Sequence, residues 1–230
     1  ILPYILFEII RRKYMAKEEA LKTELIQSII NYVRANHADA IDKAYAYFWD
    51  EKNPDEFLTG NALYIGFVNF EDWLIFDYKA NDAGETFIDL YIKNSTGLKD
   101  GELTLLNKIK GSLLSLYEAV SVSKDKRVLL KDLLMGGEVS MKDKTLTKGL
   151  KKGDMFAARL LPLDKGHAMS GSVYPFRAPD KKRVLAYIER MFKRYKKNEN
   201  PEGTMESFLK DYGDTFNIVW MNIILNQMET

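Results

Sequence analysis

A chain of 230 residues with 46% hydrophobic and 12% aromatic side chains carries enough apolar material for one large packed domain or two small ones, which excludes intrinsic disorder. A formal charge of only +1 excludes a global attraction to nucleic acid or anionic membrane, so any such partner must be held by a local patch. The absence of cysteine excludes disulfides, thiol nucleophiles and cysteine-ligated zinc, and it fits a reducing, cytoplasmic setting.

The opening run ILPYILFEII is too short for a bilayer and is followed, not preceded, by Arg11-Arg12-Lys13. It predicts neither a membrane span nor a secretory signal, and Met15 is a candidate natural start. Residues 16–35 place Leu21, Leu25, Ile26, Ile29, Ile30 and Val33 at helical spacing, which predicts an amphipathic helix. A second helix is predicted over 39–50 and is broken at Asn53-Pro54-Asp55. Residues 61–78, the most aromatic part of the chain, predict a buried helix on length. Thr86 or Asp89 starts a short helix through Ile92, and another is predicted from Lys99 to Leu114. Up to Leu114 there are 13 basic and 18 acidic residues, so this half is an acidic helical layer.

The character changes at Ser115. Short strands are predicted at 116–122, 127–130, 138–142, 155–161 and 169–174, separated by polar or glycine-containing turns, with Pro162 ending the fourth. Beyond Pro175, residues 177–197 hold nine basic and two acidic side chains around an apolar stripe, which predicts a basic amphipathic helix. A linker at 198–203, a short helix at 204–212 and a strongly apolar helix at 216–228 complete the chain. That last helix must be buried in this chain or in a partner. The expected fold is α+β: an N-terminal helical region (1–114), a small five-stranded antiparallel β-barrel or rolled sheet (115–176), and C-terminal helices (177–230), together one compact unit.

The order of Phe70-Glu71-Asp72-Trp73-Leu74-Ile75-Phe76-Asp77-Tyr78, Gly84-Glu85-Thr86, Ser115-Leu116-Tyr117-Glu118-Ala119, Leu130-Lys131-Asp132-Leu133-Leu134, Lys152-Gly153-Asp154 and Ala158-Arg159-Leu160 resembles a group of uncharacterised prokaryotic proteins. Some of that group carry a separate cysteine-rich SEC-C module, a small zinc-binding tail. This chain has no cysteine and lacks it. The resemblance covers residues 60–176, supports the domain reading and implies no activity.

Glu71, Asp72 and Asp77, followed by Asp82, Glu85 and Asp89, are the candidate catalytic carboxylates. Desolvation beside Trp73 and Phe76 would suit a general acid, and several together would suit a divalent metal. As ordinary structural residues they would be solvated, cap a backbone amide, or in the case of Asp77 pair with Arg159. His167 lies near Ser170 and Ser172, but no nucleophile-turn motif accompanies it, and His37 suits a helix end. Neither common phosphate-binding glycine motif is present, and no cofactor is expected. The candidate binding residues are Lys181, Lys182, Arg183, Arg190, Lys193, Arg194 and Lys197 of the basic helix with Arg159, and Lys148, Lys151 and Lys152 of the β unit could add charge. Arg159 either faces solvent, the default, or turns toward Asp77 and the aromatic helix. The functional expectation is a non-catalytic intracellular binding protein for nucleic acid or protein, or an oligomer through the apolar C-terminal helix. The rival is a metal-assisted hydrolase built on the carboxylates.

Overall fold

The computed structural model describes the backbone of residues 2–228 and the side chains of residues 17–225. Five helices come first: α1 (Leu2–Asn36), α2 (Ala38–Phe48), α3 (Gly60–Phe76), α4 (Phe87–Asn94) and α5 (Asp100–Ile109), with a 3-10 turn at Pro54–Glu56. Strands β1 (Leu114–Ser123), β2 (Arg127–Asp132) and β3 (Glu138–Met141) lead to α6 (Lys144–Gly149), then β4 (Met155–Leu163) and β5 (Gly166–Phe176). The chain closes with α7 (Lys181–Asn198), α8 (Met205–Asp211) and α9 (Thr215–Met228). Among the described residues no helix is long and apolar enough to cross a membrane.

Local chemistry sets several of these boundaries. Asp89 Oδ2 accepts from Thr86 N at 3.2 Å and Thr86 Oγ1 at 2.7 Å, which ties the first turn of α4. Asp143 Oδ1 accepts from Thr145 N and Leu146 N and nucleates α6, an element that the sequence pattern does not predict. The helix expected to reach Leu114 stops at Ile109, because Leu114 is already the first residue of β1 and faces Arg159 across the β1–β4 ladder. Pro162 does not end β4, which runs to Leu163. Pairing with β1 runs out at Arg159, so the proline nitrogen lies where β4 has no neighbour on that side and no ladder bond is lost.

The strands form one antiparallel sheet in the order β3-β2-β1-β4-β5. Its edges, β3 and β5, come close but are not hydrogen-bonded to each other, so the sheet curls without closing. Of the two expected forms, barrel or rolled sheet, the strands adopt an open, curled sheet and not a closed barrel. Alternation along β4 sends Phe156, Ala158 and Leu160 to one face, where they pack with Tyr117, Ala119, Val128, Leu130 and Met141 beneath Leu146 of α6. Met155, Ala157, Leu161 and Leu163 point the other way into a larger core shared with α1–α5 and α7–α9.

Helix α3 roofs that larger core and is buried over most of its C-terminal half. Gly66 lets Trp49 approach, since a Cβ there would lie 2.8 Å from Trp49 Cη2. Asn69 guards the free edge of β5: its Nδ2 donates to Val173 O at 2.9 Å and its Oδ1 accepts from Val173 N at 2.8 Å. Lys22 of α1 donates to Met169 O on the same strand. An edge strand whose backbone groups are taken up in this way offers little to a strand from another molecule.

Candidate functional site

Strand β4 has no solvent face. Eight of its nine residues are buried, because its even positions face the core under α6 and its odd positions face the roof formed by α3. Arg159 is an odd position at an irregularity in the β4–β5 register, and it is wholly buried. Its guanidinium is used on every side. Nε donates to Asp72 Oδ2 at 2.9 Å, Nη1 donates to Ser112 O at 2.5 Å, and Nη2 donates to Asp77 Oδ2. The ring of Phe76 lies 4.7 Å from Cζ. Lys210 of α8 enters from another direction, donating to Phe76 O at 2.6 Å, Lys110 O at 3.1 Å and Asp77 Oδ1 at 3.4 Å. Two cations thus face two carboxylates, which is the condition for keeping charge in a low-dielectric interior.

Burial alone would push the Arg159 guanidinium toward its neutral form. The carboxylates of Asp72 and Asp77 outweigh that, and its pKa lies above the ordinary value. Burial lowers Lys210, with Asp77 acting in the opposite sense. The Tyr174 hydroxyl is raised well above its usual range, first by burial and then by Asp72 and Asp77, and it has no hydrogen-bond partner among the described residues. The guanidinium and both carboxylates are buried, and within this cluster Lys210 is the group partly open to solvent.

The candidate carboxylates do not converge on one cleft. Glu71 turns outward to Arg34 at 2.6 Å, while Asp72 and Asp77 turn inward to Arg159. Asp82 is exposed, Glu85 pairs with Lys93 at 2.9 Å, and Asp89 caps α4. Among the described residues no group of three or more His, Asp or Glu side chains is placed to hold a metal ion. His167 is exposed in the β4–β5 hairpin, while the Ser170 and Ser172 hydroxyls lie 3.3 Å from each other. His37 precedes α2 and lies 3.3 Å from the Tyr32 hydroxyl.

The basic helix keeps its charge on the outside. Val184, Ile188 and Tyr195 of α7 are buried, and Lys182, Arg183, Arg190, Lys193, Arg194, Lys196 and Lys197 are exposed. Lys181 pairs with Glu118 of β1 at 2.7 Å and pins the start of the helix to the sheet. Lys193 pairs with Glu189, the single carboxylate within α7, and the other exposed cations form no ion pair among the described residues. The acidic N-terminal helices therefore do not neutralise α7. Arg159 lies apart from this surface, because its charge is spent in the interior.

Comparison with protein-family models matches residues 13–213, most of the chain, to a family of unknown function. The chain belongs to DUF7986. No curated protein and no solved structure matches it.

Three parts of the Arg159 cluster carried no sequence signal that reached them: Lys210, Gly213 and the Ser112 carbonyl. Lys210 is one lysine in a short helix, and Gly213 reads as a turn residue. A Cβ on Gly213 would lie 2.6 Å from Asp77 Cγ, so glycine is required there for space. Arg159 itself did have a signal. The run MFAARLLPL has no polar face, and a strand apolar on both faces predicts an arginine that must be paired.

Asp214, next to Gly213, is buried and accepts from the Tyr47 hydroxyl at 3.0 Å. Burial raises its pKa, Tyr47 and its own backbone amide oppose the rise, and Asp77 adds to it. An acid whose folded pKa is raised releases its proton first in the unfolded chain. It therefore costs stability as pH rises above the unfolded value and costs nothing below about pH 4, where both states are protonated. Asp214→Asn should be more stable than the parent protein at neutral pH, with the gain vanishing on acidification. Urea denaturation across pH reads this directly, and a gain that persists at low pH would refute it.

Proposed function

We propose that this chain is a non-catalytic binding protein whose α7 surface holds nucleic acid through the phosphate backbone. The observation that carries the proposal is the row of exposed, mostly unpaired cations along α7, with Glu189 the one carboxylate among them. The helix has 18 residues, about 27 Å at 1.5 Å per residue, long enough to follow several phosphates. Tyr187 and Phe192 lie half-buried beneath Arg190 and Lys196, at 5.3 and 5.8 Å, so no aromatic ring on this face is free for base stacking. Contact through charge alone implies little sequence preference.

The sheet supports the same reading. Lys181 fixes the start of α7 to Glu118, which faces Met155 across the ladder, immediately after the turn containing Lys151 and Lys152. Those two lysines, with Lys124 and Lys148, line an open cleft of about 620 Å³, and none of the four forms an ion pair among the described residues. Basic residues of the β unit thus continue from the N-terminal end of α7, where Lys181, Lys182 and Arg183 lie.

Fluorescence anisotropy with mixed-sequence oligonucleotides tests the proposal. With about five phosphates engaged, affinity should fall by about 10²–10³-fold between 50 and 200 mM salt. Arg190→Glu, Arg194→Glu and Lys197→Glu together should abolish binding while leaving the fold intact, because all three point outward. Salt-independent binding, or none at low salt, would remove nucleic acid as the partner. The apolarity of α9, read from sequence as a possible partner surface, is largely accounted for within the chain: Phe216, Val219, Trp220, Met221 and Ile223 are buried.

A further inference from the structure

A cleft of about 670 Å³ opens between the C-terminal end of α2 and α9, remote in sequence from the basic helix, which contributes none of its lining. Its size is that of a small-molecule site. Ile218, Met221 and Leu225 form an apolar wall on α9, while Tyr47, Asp214 and Asn217 supply the polar groups.

Asp214 and Asn217 each present an oxygen that accepts hydrogen bonds, whereas the Tyr47 hydroxyl donates to Asp214 and the indole N–H of Trp49, also at the cleft, has no acceptor among the described residues. The Asp214 carboxylate has no cationic partner among the described residues, and its side-chain donor is the Tyr47 hydroxyl. Asn217 is 1% exposed, and its Nδ2 donates to Phe48 O at 2.7 Å. That bond fixes Oδ1 as the other end of the amide, and Oδ1 has no partner. A buried acceptor without a donor costs free energy, so Asn217 Oδ1, beside a carboxylate that has no ion pair among the described residues, favours a guest that brings a donor.

Tyr47 adds a third feature. Its ring stacks on Trp73 at 5.8 Å and 11° and its hydroxyl is held by Asp214, yet the residue is 60% exposed. An aromatic ring held at two points and open elsewhere is an attractive surface for a cation. At the rim, Lys52 pairs with Asp50, and Asp50 and Glu51 are held at φ of 54° and 57°. Lys43, exposed on α2, also lines the cleft.

We propose that this cleft binds a primary alkylammonium group, with its N–H donors on the Asp214 carboxylate and Asn217 Oδ1, its charge against Tyr47, and its alkyl chain along Ile218, Met221 and Leu225. A free amine and a lysine side chain of another protein present the same chemistry. The charged and titratable groups facing Asp214 are Tyr47 of α2, Asp77 after α3, Tyr174 of β5, Tyr187 of α7 and neighbouring Tyr212, with Lys43, Asp50, Glu51 and Lys52 at the cleft. Neither Lys43 nor Lys52, the cations at the cleft, pairs with Asp214 among the described residues, so the ammonium would supply its countercharge. Binding should therefore weaken on acidification as Asp214 takes up its proton.

The test is an NMR titration followed at the Asn217 side-chain amide and the Trp49 indole N–H, using n-hexylamine, a lysine peptide with blocked ends, and n-hexanol as the uncharged control. Hexylamine, the peptide or both should shift these signals, and hexanol should not. Asp214→Asn should weaken binding by about tenfold or more, the cost of removing one partner from a desolvated charge contact. Ile218→Lys, a change at an exposed rim position that keeps the fold, should block the site with its own tethered ammonium. No shift with either amine up to millimolar concentration, an equal response to hexanol, or unchanged binding in the Ile218→Lys variant would overturn the proposal.

Discussion

Replacing Arg159 by methionine should destabilise the protein by about 3–5 kcal/mol in urea or thermal denaturation, among the largest effects of any single substitution in this chain. Methionine fills much of the same space, so the loss is electrostatic and not a cavity. Asp72 and Asp77 would keep their places with Lys210 as the one remaining cation among the described residues, and Lys210 reaches Asp77, at 3.4 Å, but not Asp72. The carbonyl of Ser112 would lose its donor as well. Arg194→Met on the outer face of α7 is the matched control and should change stability by less than about 0.5 kcal/mol. Equal effects of the two substitutions would show that the buried pairing does not hold the fold.

Gly213→Ala should cost about 1–3 kcal/mol, far above what one added methyl group costs at an open position. The new Cβ would lie 2.6 Å from Asp77 Cγ and 2.9 Å from Asp77 Cβ. Elsewhere a side chain would swing aside. Asp77 is held by Arg159 on one oxygen and Lys210 on the other, so relief of the clash must break an ion pair. This gives a second, sharper expectation. In an Arg159→Met background Asp77 has lost one anchor, and the added cost of Gly213→Ala should shrink. Strict additivity of the two substitutions would mean that Asp77 is not the obstacle.

The contrast between what the sequence disclosed and what it hid follows from range. The part of α1 from residue 16 onward, with α2–α5 and α7–α9, was legible because apolar spacing, run length and capping residues are local properties that survive packing, and the strands were legible from β-branched alternation. Element α6 was hidden because six residues are too few for a period to show, although Asp143 marks its start. Pro162 misled because a proline ends a strand only where its nitrogen is needed, and which side of β4 is paired depends on where β1 begins. The site was legible only in part. Asp77 and Arg159 were paired as one of two options, whereas Lys210 and Gly213 reach the cluster across sequence separations that no local pattern encodes.

The Arg159 cluster also imposes an order on the making of this protein. A ribosome delivers Asp77 82 residues before Arg159 and 133 residues before Lys210. Until β4 has emerged, the carboxylates of α3 have no cation to meet and are held in water by their own hydration. The aromatic helix therefore cannot settle onto its final bed early, however apolar it is. Its docking waits for the strand, and the last lock waits for Lys210, 51 residues after Arg159. Long-range closure of this kind is slow compared with local helix formation, so completion of this cluster depends on the arrival of α8.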